Sequence, residues 1–96
     1  MKKLSDAEVS GLVAQLEGWS VRNGKLHREY KFADFAAAFK FMTAAVPVIE
    51  KMDHHPEWAN VYNRVTVDLT THDAGGITQK DFDLAMFFEG IAKKLA

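Results

Sequence analysis

Apolar residues in this chain keep changing their spacing, and the order of those changes limits the fold more than any single motif. Val9, Leu12, Val13 and Leu16 recur at helical spacing. Leu26, Tyr30 and Phe32 then share one face of a strand-like run whose other face holds His27, Glu29 and Lys31. Phe35, Ala38, Phe39, Met42, Ala45, Val46, Ile49 and Met52 return to the helical period. Val65, Val67 and Leu69 alternate with Thr66, Asp68 and Thr70, and the residues from Phe82 to Leu95 close the chain in helical fashion. Helix, two strands, helix, two strands, helix predicts an α+β domain: a four-stranded antiparallel sheet with three helices packed on one face.

Local signals place the boundaries. Ser5 and Glu8 form a capping box, with Leu4 and Val9 as its hydrophobic staple, and Gly18 closes a helix over about 6–17. Asn23-Gly24 suits the positive φ angles of a type I′ hairpin. Asp34 caps a second helix over about 35–51, in which Pro47 predicts a kink because the Thr43 carbonyl loses its usual donor. Asp53-His54-His55-Pro56 ends that helix, and Asn63-Arg64 is the expected turn between strands over 58–62 and 65–71. Asp73-Ala74-Gly75-Gly76 is a loop, too short in its glycines for a phosphate-binding fingerprint. Thr78 caps a third helix reaching about Lys94, with Asp81 at its third position. That helix carries more apolar side chains than one buried face needs, which predicts an interface between copies; the alternative is a helix sunk in the core.

Composition narrows the function classes. At 96 residues the chain is expected to form a single domain, 1–96, able to bury a core without staples. It has no cysteine, hence no disulfide, thiolate metal site or cysteine nucleophile. Lys and Arg total 12 against 13 for Asp and Glu, so the net charge of −1 gives no electrostatic reason to bind nucleic acid. No apolar run approaches the roughly 20 residues that cross a bilayer, and the N-terminal residues lack the apolar core of a secretory signal. A cytoplasmic protein with no membrane partner is the expectation.

The chemistry sits with the histidines. His54 and His55 precede the second hairpin and His72 follows it, so a folded hairpin brings both loops to one end of the sheet. Imidazole ionises near neutral pH, so converging histidines suit proton transfer or a metal. The adjacent His54 and His55 point apart, which is poor spacing for metal ligands. A bland reading also stands: the doublet caps a helix C-terminus, where imidazolium suits the dipole. His27, beside Glu29 and Lys31, reads as a solvated surface residue, and Trp58 and Tyr62 as packing residues or a stacking platform.

A longer pattern is more specific than the doublet. Glu50, three residues, His54-His55-Pro56, five residues, Tyr62, nine residues, His72, eight residues and Asp81 resemble the signature of the pterin-4a-carbinolamine dehydratases, also called 4a-hydroxytetrahydrobiopterin dehydratases. Asp53 to Trp58, Asn60 to Asn63, Leu69 to His72, Phe41-Met42-Thr43 and Asp81 to Ala85 share the likeness. It implies a lyase that needs no metal and no cofactor, and that eliminates water from a 4a-hydroxytetrahydropterin to give quinonoid dihydropterin. By similarity, His54 and His72 are the acid–base pair and His55 mainly holds the pterin. His54 to Pro56 and Thr71 to Ala74, with His72 and Asp73 between, line the ring. Glu50 and Asp81 are supporting carboxylates beside Trp58 and Tyr62, and Asp81 can orient an imidazole while capping its helix. Pro47 departs from the family pattern. The resemblance also implies a homo-oligomer, dimer or tetramer. It leaves one alternative, a non-catalytic protein-binding module acting as dimerisation cofactor and transcriptional coactivator.

Overall fold

The computed structural model describes residues 2–95 and realises the expected order. Helix α1 spans Asp6–Val13, strand β1 Ser20–Arg22, β2 Lys25–Lys31, helix α2 Phe35–Met52, β3 Glu57–Val61, β4 Arg64–Leu69 and helix α3 Gln79–Leu95. The strands form one antiparallel sheet in the order β1-β2-β4-β3, so the two hairpins join through β2 and β4. Among the described residues, no helix is long and apolar enough to cross a membrane.

The period-two pattern explains which face is covered. Leu26 and Tyr30 of β2 and Val65, Val67 and Leu69 of β4 are buried against Ala38, Phe41, Ala45 and Ile49 of α2 and Phe82, Leu84, Ala85 and Phe88 of α3. Phe88 is the hinge of this packing: it lies edge-on to Phe41 and stacks on Trp58, with ring centroids 5.8 and 5.9 Å apart. Most of the apolar surplus of α3 therefore enters the core, because the helix packs against α2 as well as under the sheet. Met86 and Phe87 stay exposed, as do Phe35, Phe39 and Val46 of α2.

The caps behave as the sequence predicts. Ser5 Oγ accepts from the Glu8 amide and Glu8 Oε1 from the Ser5 amide. Asn23 and Gly24 take φ angles of 53° and 74°. Two boundaries differ, and the second helix is continuous through its proline. Helix α1 stops at Val13, four residues early, because Gln15 and Leu16 bond three residues back instead of four. Leu12, Val13 and Leu16 still reach the core, so the apolar spacing gave no warning of the change. Helix α2 runs unbroken through Pro47, where Pro47 and Thr43 both face solvent and water can serve the freed carbonyl. The second hairpin turns at Tyr62-Asn63, one residue early: Asn60 Nδ2 donates to the Tyr62 and Arg64 carbonyls, and Tyr62 accepts a φ of 51°.

Candidate active site

The site begins where α2 ends. Asp53 adopts the left-handed conformation (φ 49°) and its amide, with that of His54, closes the last turn onto the Ile49 and Glu50 carbonyls. The chain then turns sharply enough to send the two histidines opposite ways. The His54 side chain is 10% exposed and lies inward; that of His55 is 60% exposed. Pro56 is half-buried and leads into β3.

His54 is held by Asp81, which has no exposed surface. The His54 Nε2–H donates to Asp81 Oδ1 at 2.5 Å. The other oxygen, Oδ2, accepts from the Thr78 amide and from the Thr71 hydroxyl, each at 2.9 Å. Because Thr71 spends its proton on the carboxylate, the Thr78 hydroxyl is the donor in their 2.8 Å contact. Asp81 thus caps α3 and hydrogen-bonds an imidazole at once, the pair of contacts that the resemblance implies. It also ties the doublet loop to the segment that carries His72.

That segment is a 3-10 turn, His72–Ala74. It is closed by a bridge between Thr71 and Gly76, and Gly75 supplies the left-handed residue (φ 78°) that the closure needs. The His72 side chain is 77% exposed, and its Nε2–H donates to Glu57 Oε2 at 3.0 Å. Glu57 Oε1 accepts from Lys25 Nζ at 2.5 Å. The Lys25 hydrogen bond, ahead of the His72 one, holds the Glu57 carboxyl below its ordinary range. His55 Nε2 donates to Glu50 Oε2 at 2.9 Å. Each of the three histidines therefore has a carboxylate of its own, and a carboxylate accepts only from an N–H, so Nδ1 is the nitrogen left with a lone pair in the neutral ring.

The structure thus brings His54, His55, Pro56, Thr71, His72, Asp73, Ala74, Glu50 and Asp81 to one end of the sheet. Trp58 serves packing, stacked on Phe88. Tyr62 sits at the opposite end of the hairpin, 63% exposed, and is not brought to the histidines within one chain. Glu57 and Lys25 are additions that sequence reasoning missed. Their contact spans two strand spacings across β4, and nothing in local spacing encodes it. His27 is a correction: its side chain is 15% exposed, not solvated, because register sets it opposite Asp68. Its Nδ1–H donates to Asp68 Oδ1 at 2.9 Å and its Nε2 accepts from Arg22 Nη1 at 3.1 Å. Among the described residues, no group of three or more His, Asp or Glu side chains is arranged to hold a metal ion. A cavity of about 990 Å³ lies elsewhere, between Arg28, Phe32, Met86 and Glu89.

Comparison with known proteins identifies the family. The family model for pterin 4 alpha carbinolamine dehydratase matches residues 2–91. A protein of Solibacter usitatus, provisionally named a pterin-4-alpha-carbinolamine dehydratase, is 61% identical over 90 residues, covering 94% of this chain and 95% of its own. A Rhodopseudomonas palustris protein with the same provisional name is 46% identical over 98 residues, covering all of this chain and 97% of its own. A crystal structure from Brucella melitensis, described as a transcriptional coactivator/pterin dehydratase, superposes with a TM-score of 0.91 at 42% identity, covering 95% of this chain and 99% of that one. Matched from end to end in sequence and in fold, the chain belongs to the pterin-4a-carbinolamine dehydratase family.

Proposed function

We propose that the chain dehydrates 4a-hydroxytetrahydropterin to quinonoid dihydropterin by histidine general acid–base catalysis, in the recycling of a tetrahydrobiopterin-type cofactor. The observation that carries this reading is the Asp81 network, which ties the loop of His54 to the segment of His72. In the elimination a ring nitrogen lone pair expels the C4a hydroxyl. The C4a–O bond breaks as an acid delivers a proton to the leaving oxygen, and a base takes the ring proton. The products are water and the dihydropterin, with no net change in protons. His54 and His72 are the acid–base pair, and Asp81 and Glu57 supply the negative charge that stabilises whichever ring is protonated. His55, exposed on its Glu50 partner, holds the ring, as do the backbone and side chains of Pro56 and Thr71 to Ala74. Neither a metal nor a bound cofactor is assigned a step.

The test is turnover of 4a-hydroxytetrahydropterin. The wild type is expected to accelerate dehydration, and His54→Ala and His72→Ala to lose roughly 10²- to 10⁴-fold. Full activity in His72→Ala contradicts its role, and loss of wild-type activity on chelation favours a metal instead. A second reading is favoured by the coactivator description of the Brucella relative and by the exposed Phe35, Phe39 and Val46 of α2: a protein-binding module. Stoichiometric capture of a protein partner together with absence of turnover would reverse the ranking. The same exposed apolar residues support a homo-oligomer, which the mass of the protein in solution tests.

A further inference from the structure

The family signature supplies two carboxylates, and the structure commits both: Glu50 to His55 and Asp81 to His54. His72 is left to a carboxylate outside that pattern. Glu57 opens β3 and faces the uncovered side of the sheet, opposite Asp68 in register. Its two oxygens are forked, Oε2 accepting from His72 and Oε1 from Lys25 of the first hairpin. Asp68 does not compete, because it is engaged with His27. We propose that Glu57, anchored by Lys25, is the positioning residue of His72: it fixes the Nε2–H tautomer and so presents the Nδ1 lone pair to the reacting pterin.

The inference deepens the dehydratase reading and rests on it for its effect on turnover. A half-exposed glutamate at a strand start samples several rotamers, and the Lys25 ammonium removes that freedom while balancing its charge. A neutral imidazole offers either nitrogen as donor, and a carboxylate fixed on one of them makes the choice, as the orienting aspartate does for the histidine of a serine protease. The first hairpin, with no histidine on the site and no residue in the signature, thereby acquires a part in the reaction.

Nitrogen-15 NMR of the histidine rings at neutral-ring pH, combined with steady-state kinetics, tests this on the intact protein. In the wild type His72 is expected as the Nε2–H tautomer. In Glu57→Gln, whose amide can donate as well as accept, a mixture of tautomers is expected, with kcat down roughly 10- to 100-fold, by analogy with the outer partners of metal-bound histidines, and KM within about two-fold. Lys25→Met should move both readouts the same way by less, about three-fold in kcat. A wild-type ring with no Nε2–H preference, or a Glu57→Gln ring that keeps the wild-type tautomer, overturns the proposal whatever kcat does. A shifted tautomer in a variant that turns over like the wild type overturns it as well. If the wild type shows no dehydration at all, the enzymatic reading falls, and the tautomer comparison still decides whether Glu57 positions His72.

Discussion

Helix α3 carries two carboxylates that the fold takes partly or wholly out of water, and they do different work. Asp81, in its first turn, accepts from the Thr78 amide, the Thr71 hydroxyl and His54. Glu89, two turns on, accepts through Oε2 from Trp19 Nε1 at 3.1 Å and from the Tyr30 hydroxyl, and pairs with Arg28 Nε at 3.4 Å. In both places a carboxylate satisfies donors that burial would otherwise orphan, at Glu89 the Trp19 indole and the Tyr30 hydroxyl. The difference is in the partners. Tyr30, Arg28 and Trp19 all serve as donors, and Glu89 is a fixed pin between α3 and the first hairpin. One partner of Asp81 is an imidazole on a loop at the sheet end, and under the proposed mechanism the same device holds a group that exchanges protons.

Breaking that comparison should cost most at Asp81. Asp81→Ala leaves the Thr78 amide, the Thr71 hydroxyl and His54 without an acceptor; we expect a loss of about 3 kcal/mol in urea unfolding and a fall in turnover of roughly 10²-fold or more. Glu89→Gln should be milder and one-sided. The amide oxygen still accepts from Trp19 and Tyr30 but leaves Arg28 unpaired, so about 1–2 kcal/mol of stability is lost with turnover within about two-fold of the wild type. A large loss of turnover there would erase the distinction between the two acids.

Alkaline unfolding sharpens the contrast. Burial, then the hydrogen bond to Glu89, pushes the Tyr30 phenol far above its ordinary range. Its folded-state pKa is raised, so its contribution is complete below the ordinary tyrosine value of about 10 and is lost as pH climbs above it. Stability measured against pH should fall on that side in the wild type and flatten in Tyr30→Phe. The smallest effect belongs to Glu57. Its carboxyl is held low by Lys25, so its contribution is present above the ordinary glutamate range and lost as pH drops through the depressed value. The acid limb of the same curve should flatten slightly in Lys25→Met.

The architecture was legible because each change of apolar period corresponds to a real element, and the caps at Ser5, Asp34 and Thr78 mark real helix starts. The end of α1 was not, since Leu16 packs on the core from a 3-10 turn as readily as from a helix. The fate of α3 was also hidden: whether its apolar surplus meets a second molecule or α2 depends on how the layers pack. Within the site, the doublet and its divergent directions could be read from adjacency, while Asp81 came from the family resemblance, since its capping position alone points only to a cap. Glu57 and Lys25 could not, because their contact exists only once the strand order β1-β2-β4-β3 lays the first hairpin beside the second. The pairing of His27 with Asp68 was hidden for the same reason.

On the proposed reading the two histidine loops form one pterin site. A crystal structure of the protein with a bound dihydropterin tests it most directly. The bicyclic ring should lie between His54–Pro56 and Thr71–Ala74, with the C4a position within hydrogen-bonding reach of His72 or His54 through a hydroxyl or water. A pterin seated instead in the cavity between Arg28, Phe32, Met86 and Glu89, with no contact to either loop, would contradict it.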